Sequence, residues 1–239
     1  MTIRGFFQWV GLLLLTLVAG PPAMLLGLLI RSRDKKEKVF RRLSKLYCGI
    51  AMWMLRVKVE SRGISKLDPD KGYVFLPTHT SNLDPGVLAI VLTQPLLWVF
   101  KKELAKIPIF GWVLMQFGQI KIDRSDVKQA RSSMSDAGNV IAGNTSVVVF
   151  PEGTRSKDGK LKALKKGGFH MALELGLPIV PIRIHGSYEL FPYGAQTVRP
   201  GCVVVELFDP IPVHDKTEAD IPKLVSQVKA ALLSGTTGP

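Results

Sequence analysis

The sequence predicts an α/β domain with a largely parallel central sheet flanked by helices, preceded by an N-terminal membrane-associated two-helix segment. Three observations predict it. Short β-branched runs alternate with helical stretches from about Gly72 onward. Those runs are apolar at nearly every position, as strands covered on both faces are. And a long, Leu-rich, uncharged stretch lies near the N-terminus.

That stretch runs from Gly5 to Ile30 without a charged residue, and about 20 apolar residues are enough to span a bilayer core. Gly20-Pro21-Pro22 interrupts it, because proline inside a helix removes a hydrogen bond and crowds the preceding turn. Three readings fit: a kinked spanning helix, two shorter helices forming a hairpin in one leaflet, or a cleaved leader. The next segment argues against the leader. Over residues 31–45, eight Lys and Arg stand against Asp34 and Glu37, a net of +6 out of +13 for the chain. Such a cluster resists translocation, so this side is expected on the cytoplasmic face of a membrane. Val39, Phe40, Leu43, Leu46, Tyr47, Ile50 and Met54 recur at helical spacing, with Arg41, Arg42 and Lys45 on another face. An interfacial helix fits that pattern, and so does a solvated helix packed on the following domain. Residues 1–60 are therefore expected to form the membrane-associated segment and 61–233 the α/β domain, with 234–239 a disordered tail.

Within the domain, strands are expected at residues 72–77, 96–100, 119–122, 146–150, 179–184 and 202–208. Helices are expected at 86–92, 125–141, 167–175 and 218–233. The first, third and fourth strands run directly into "THTSNLDPG", "DRSD" and "PEGTRSKDGK", and the second into "KKEL". In an open parallel sheet the carboxyl ends of strands line the active site, so four polar segments are expected at one edge.

The remaining bulk properties narrow the classes. Hydrophobic residues make up 46% of the 239, enough for a sizeable core. Cys48 and Cys202 form neither a metal-ligand spacing nor a disulfide framework. A charge of +13 calls for an anionic partner, nucleic acid or membrane. Its concentration beside the apolar run, with no nucleic-acid recognition motif, favours the membrane.

His79, just past a strand, is followed five residues on by Asp84. An imidazole acts as a general base near neutral pH when a carboxylate holds its far nitrogen. The plainer reading is a hydrogen-bonded strand-end histidine, with Asp84 capping a helix whose first turn holds Pro85. In "FPEGTRS" (150–156), Gly153 permits close backbone approach, and Thr154 and Arg155 follow it. Free N–H groups beside an arginine suit a phosphate. Glu152 is placed to accept a bond from a substrate hydroxyl; a surface turn with a Glu–Arg pair fits the same string. Lys101 and Lys102 in "FKKEL" and Arg124 in "IKIDR" add cations beside two more strand ends.

In order, His79-x-x-x-x-Asp84, Lys101-Lys102-Glu103-Leu104, Gly118-x-x-x-x-Asp123-Arg124, "FPEGTRS" and Val180-Pro181-Ile182 resemble the glycerolipid acyltransferase family, most closely its bacterial-type 1-acylglycerol-3-phosphate acyltransferases. The resemblance covers roughly residues 70–210 and extends to Lys165 and Gly167 in "LKKGGFHMA". It implies a one-step acyl transfer in which His79, aided by Asp84, takes the proton of a glycerol hydroxyl as the oxygen attacks a thioester. Lys101, Arg124 and Arg155 would hold the phosphate, and Glu152, Gly153 and Thr154 would line the glycerol site. The implied donor is acyl-CoA or acyl carrier protein, the acceptor a lysophospholipid in the bilayer, and no metal or other cofactor takes part. Lysophosphatidic acid is the implied acceptor, with lyso-ornithine lipid and lysophosphatidylglycerol as alternatives in the same chemistry. The implied location is the cytoplasmic face of a bacterial inner membrane. Where many members carry Asn before the histidine, this chain has Thr78. A non-enzymatic membrane-surface protein would account for the charge but leave these ordered motifs without a use.

Overall fold

The structure, a computed structural model, describes residues 2–122 and 145–234. The helix expected at 125–141, Asp123 and Arg124, and the tail from 235 lie outside them. Helix α1 (Ile3–Leu29) leads into α2 (Arg33–Leu55). Seven strands come next: β1 (Val57–Arg62), β2 (Val74–Pro77), β3 (Leu96–Lys101), β4 (Ile120–Ile122), β5 (Ser146–Val148), β6 (Ile179–His185) and β7 (Gly201–Leu207). Helices α3 (Asp84–Val91), α4 (Phe110–Gln116), α5 (Gly167–Leu175), α6 (Ser187–Leu190) and α7 (Ile221–Ser234) are distributed among them.

The strands form one sheet in the order β1-β7-β6-β2-β5-β3-β4. Every pairing is parallel except β6 with β7. The apolar runs are explained by burial on both faces. Phe75, Val148, Val180 and Ile182 pack with Met52 and Leu55 of α2 and Val87 and Leu88 of α3. Val74, Leu76, Val147 and Ile179 face the other way, onto Phe169 of α5 and Leu224, Val228 and Leu232 of α7. Successive residues of β2 thus enter opposite cores, as the two-residue period of a strand requires.

All six expected strands are present, with ends shifted by up to two residues. The strand absent from the expectation is β1. It occupies the sheet edge, carries Lys58, Glu60 and Arg62, and lacks a continuous apolar run, as edge strands commonly do. It also straddles the division expected after residue 60, so the sheet begins at Val57. Helix α4, equally unforeseen, follows a 3₁₀ turn at Lys102–Lys106.

Of the readings open at Gly20-Pro21-Pro22, the continuous helix is the one observed, not two shorter ones: α1 runs through both prolines, and the chain turns at Ile30–Ser32. Both prolines have the φ a helix needs, and small Gly20 admits Ile109 against the helix, where any Cβ would collide with the Ile109 side chain. The two-helix segment is therefore α1 plus α2. Helix α1 is about 40 Å long, and both of its ends touch the α/β domain. At the start, Thr2 Oγ1 meets Thr197 Oγ1 at 2.8 Å and Trp9 Nε1 donates to Gln196 O at 2.9 Å. Gln8 bonds Val198 twice, donating to its O at 2.9 Å and accepting from its N at 3.0 Å. At the far end Gly27 lies against Gln116 and Phe117. The helix lies along the domain and turns Phe7, Leu13, Leu14, Val18, Leu28 and Leu29 outward.

Helix α2 packs on the α/β domain, as one of its two sequence readings expects. Phe40, Ala51, Met52 and Leu55 are buried, and Arg41 Nη1 donates to Thr93 O at 2.6 Å. Leu46, Ile50 and Trp53 are exposed on one stripe.

Candidate active site

Three of the four polar segments share an edge, and the fourth, residues 123–126, lies outside the described residues. Strands β2, β5, β3 and β4 are consecutive neighbours and all parallel, so their carboxyl ends point the same way. His79 and Asp84 lie in and after the turn that leaves β2. His79 Nδ1 stands 2.9 Å from Asp84 Oδ2. That oxygen also accepts the backbone N–H of Thr80 at 2.7 Å and of Ser81 at 2.8 Å. Asp84 is fully buried and makes no capping bond to α3; it reaches back into the turn instead. A carboxylate only accepts, so the shared proton sits on Nδ1 and Nε2 carries the basic lone pair. The imidazole stacks on Phe150, centroids 4.0 Å apart, which fixes the ring plane. Its side chain is 15% exposed, enough for one edge to meet a substrate.

The loop after β5 grips the same residue twice. Glu152 Oε1 accepts the His79 N–H at 2.7 Å, and Ser156 N donates to His79 O at 2.8 Å. The second oxygen of Glu152 accepts the Lys162 N–H at 2.9 Å. Glu152 was expected to meet the substrate, but it is 2% exposed with both oxygens committed to backbone. It braces the histidine turn against the 150–162 loop. Burial pushes its carboxyl above the usual glutamate range, while the N–H groups of Lys162 and His79 pull it back.

Gly153 has φ of +72°, a conformation that favours glycine, and a Cβ there would lie 3.0 Å from the end of the Lys165 side chain. Thr154 Oγ1 meets Lys162 Nζ at 2.6 Å. The Arg155 guanidinium lies over the Tyr193 ring at 5.0 Å, and Lys157 Nζ approaches the same ring at 5.5 Å. Arg155, Lys157, Lys162 and Lys165 therefore gather on the loop that holds His79. Lys157, Lys162 and Tyr193 were not singled out from sequence. The lysines resemble ordinary surface charge, and Tyr193 is 38 residues from Arg155 along the chain.

Lys101 ends β3 at the same edge but two strands from β2, about 10 Å to the side. It is half exposed and pairs with Glu103 at 3.3 Å. Arg124 lies outside the described residues.

Three buried hydroxyls hold the turn. Thr78 Oγ1 accepts the Ile184 N–H at 3.0 Å, which gives the threonine before the histidine a structural task. Thr80 Oγ1 meets Ser187 Oγ at 3.0 Å. Ser81 Oγ donates to Phe191 O at 2.9 Å and accepts the Leu83 N–H, so it is tied into the scaffold rather than presented as a nucleophile.

Comparison with known proteins gives the chain a family. Residues 58–185 match the family model described as Acyltransferase. A 1-acyl-sn-glycerol-3-phosphate acyltransferase from Limnanthes alba is 33% identical over 192 residues, 78% of this chain and 68% of the relative. The human 1-acyl-sn-glycerol-3-phosphate acyltransferase alpha is 30% identical over 206 residues, 86% of this chain and 72% of its own. Among solved structures, the 1-acyl-sn-glycerophosphate (LPA) acyltransferase PlsC from Thermotoga maritima superposes with a TM-score of 0.75 at 26% identity, over 97% of this chain and all of that one.

Proposed function

The chain belongs to the acyltransferase family, and we propose that it transfers a fatty acyl group to the free hydroxyl of 1-acylglycerol 3-phosphate, giving phosphatidic acid. One observation carries the reading: the loop bearing Arg155 grips the backbone of His79 through Glu152 and Ser156, while Asp84 holds the imidazole. A base and a cluster of cations are thereby fixed side by side, as deprotonating a phosphate-bearing alcohol demands.

In this reading the glycerol hydroxyl gives its proton to His79 Nε2 as its oxygen bonds to the thioester carbonyl carbon. Asp84 stabilises the imidazolium so formed. Collapse of the tetrahedral species breaks the C–S bond, and the imidazolium proton passes to the departing sulfur. Arg155, with Lys157, Lys162 and Lys165, neutralises the acceptor's phosphate. The donor is acyl-CoA or acyl carrier protein.

The arrangement of α1 supports attachment to one leaflet. A helix with both ends on the same domain lies in the membrane plane, its outward face among acyl chains. The basic run at 31–45 supports the cytoplasmic face, in a bacterium that of the inner membrane.

Thiol release from acyl-CoA, with purified protein and lysophosphatidic acid in mixed micelles, tests the reading. His79→Ala is expected to abolish turnover while leaving the fold intact; turnover within tenfold of wild type would refute the role of His79. Lyso-ornithine lipid and lysophosphatidylglycerol in place of the acceptor, and acyl carrier protein in place of CoA, test substrate choice.

A further inference from the structure

A cavity of about 350 Å³ opens between the first turns of α1 and the end of α2, lined by Arg4, Phe7, Gln8, Met54, Leu55 and Arg56. Its floor is apolar, and Phe7 and Met54 continue into the exposed faces of α1 and α2. Neither guanidinium has a side-chain partner among the described residues. Two unpaired cations over an apolar floor form a site for an anion that carries hydrocarbon.

Each arginine also sits at a position with a local cost, Arg4 through its charge and Arg56 through its backbone. Arg4 is in the first turn of α1, where the helix dipole is positive and no acidic residue offsets it. Arg56 ends α2 with φ of 57°, a left-handed conformation that glycine adopts at lower cost.

The cavity's position in the fold suits a lipid. Arg56 precedes β1, whose first residue Val57 pairs with Gly201 at the start of β7. Because β7 runs antiparallel to β6, that end of β1 shares the edge where β2 delivers His79, three strands and about 14 Å away. The 191–198 loop lies between them, bonded to Gln8 on one side and Ser81 on the other.

We infer that this groove seats the phosphate of an anionic glycerophospholipid of the bilayer, with its acyl chains along Phe7 and Met54, separate from the acceptor's site. The inference rests on the membrane attachment proposed above.

Native mass spectrometry of the full chain, released from micelles containing phosphatidylglycerol, tests it. Wild type is expected to retain one phosphatidylglycerol and not phosphatidylcholine. The Arg4→Gln/Arg56→Gly pair relieves the dipole and the left-handed strain, so it is expected to melt no lower than wild type while its affinity falls about thirtyfold. Arg31→Gln/Lys35→Gln, at the opposite end of α2, should retain the lipid. Equal loss in that control, equal retention of phosphatidylcholine, or no loss in Arg4→Gln/Arg56→Gly would overturn the inference. So would displacement of the lipid by millimolar inorganic phosphate, which would mark a site for the free anion. Acyl transfer in detergent is measured alongside and should be unchanged in Arg4→Gln/Arg56→Gly; its absence in wild type would count against the enzymatic reading, while the retention result would still decide the groove.

Discussion

Replacing Asp84 by Asn separates the charge of this carboxylate from its geometry. Oδ2 accepts from His79 Nδ1, Thr80 N and Ser81 N, at 2.7 to 2.9 Å. An asparagine keeps all three only by placing its amide oxygen there, so the two backbone donors hold the productive orientation and the histidine tautomer survives. What is lost is the negative charge facing the imidazolium. Opposite charges with centres near 4 Å attract by about 4 kcal/mol at an effective dielectric of 20, and a neutral amide recovers roughly half. The barrier should rise by about 2 kcal/mol and kcat fall by roughly thirtyfold, with KM little changed because Asp84 is buried away from the acceptor. The amide NH₂ would occupy the Oδ1 position, which has no hydrogen-bond partner among the described residues. Burying it unpaired costs about 1–3 kcal/mol, read as a melting point lower by about 2–10 °C. Thiol release under saturating donor and acceptor, with thermal unfolding of the same preparation, measures both. A folded Asp84→Asn enzyme with kcat within threefold of wild type would refute the argument that this charge stabilises the imidazolium.

Arg155→Ala should raise KM for a phosphate-bearing acceptor about 10–100-fold, the loss of one charge-assisted contact, and leave a neutral-headgroup acceptor nearly unaffected; equal effects on both would remove Arg155 from phosphate binding. Glu152 is held above its ordinary value of 4.5 by burial. Between 4.5 and that raised value the native state binds more protons than the unfolded chain, so this group's contribution to stability falls as pH rises through the window. Glu152→Gln removes that slope and adds a constant penalty for the lost Lys162 bond. Urea unfolding of both proteins from pH 4 to 7 should therefore show the wild-type advantage shrinking as pH rises; an advantage that grows with pH would contradict the assignment. Thr78→Val leaves the buried Ile184 N–H unpaired and should cost about 1–3 kcal/mol in denaturant unfolding, whereas Thr78→Ser should stay within about 1 kcal/mol of wild type because its hydroxyl still accepts that bond.

The sheet was legible in the chain itself, because strands buried on both faces are apolar at nearly every position, and residues 74–77, 96–100 and 179–184 carry that signature openly. The sequence also placed the polar segments after the strands, since chain order alone sets which residues leave a strand's carboxyl end. The edge strand β1 stayed hidden because half of it faces solvent and reads like a loop. At Pro21-Pro22 the local rule for proline was overridden by packing, with Gly20 receiving Ile109 and the helix braced at both ends by the domain. The site divides the same way. His79, Asp84, Gly153 and Arg155 were legible because each belongs to a short string with its own chemistry. Only the tertiary structure turned Glu152 inward, gave Thr78 the Ile184 N–H, stacked His79 on Phe150 and set Tyr193 beneath Arg155. Those contacts join residues 38 to 106 positions apart. Which distant groups meet is fixed by sheet order and loop path, and no local pattern encodes either.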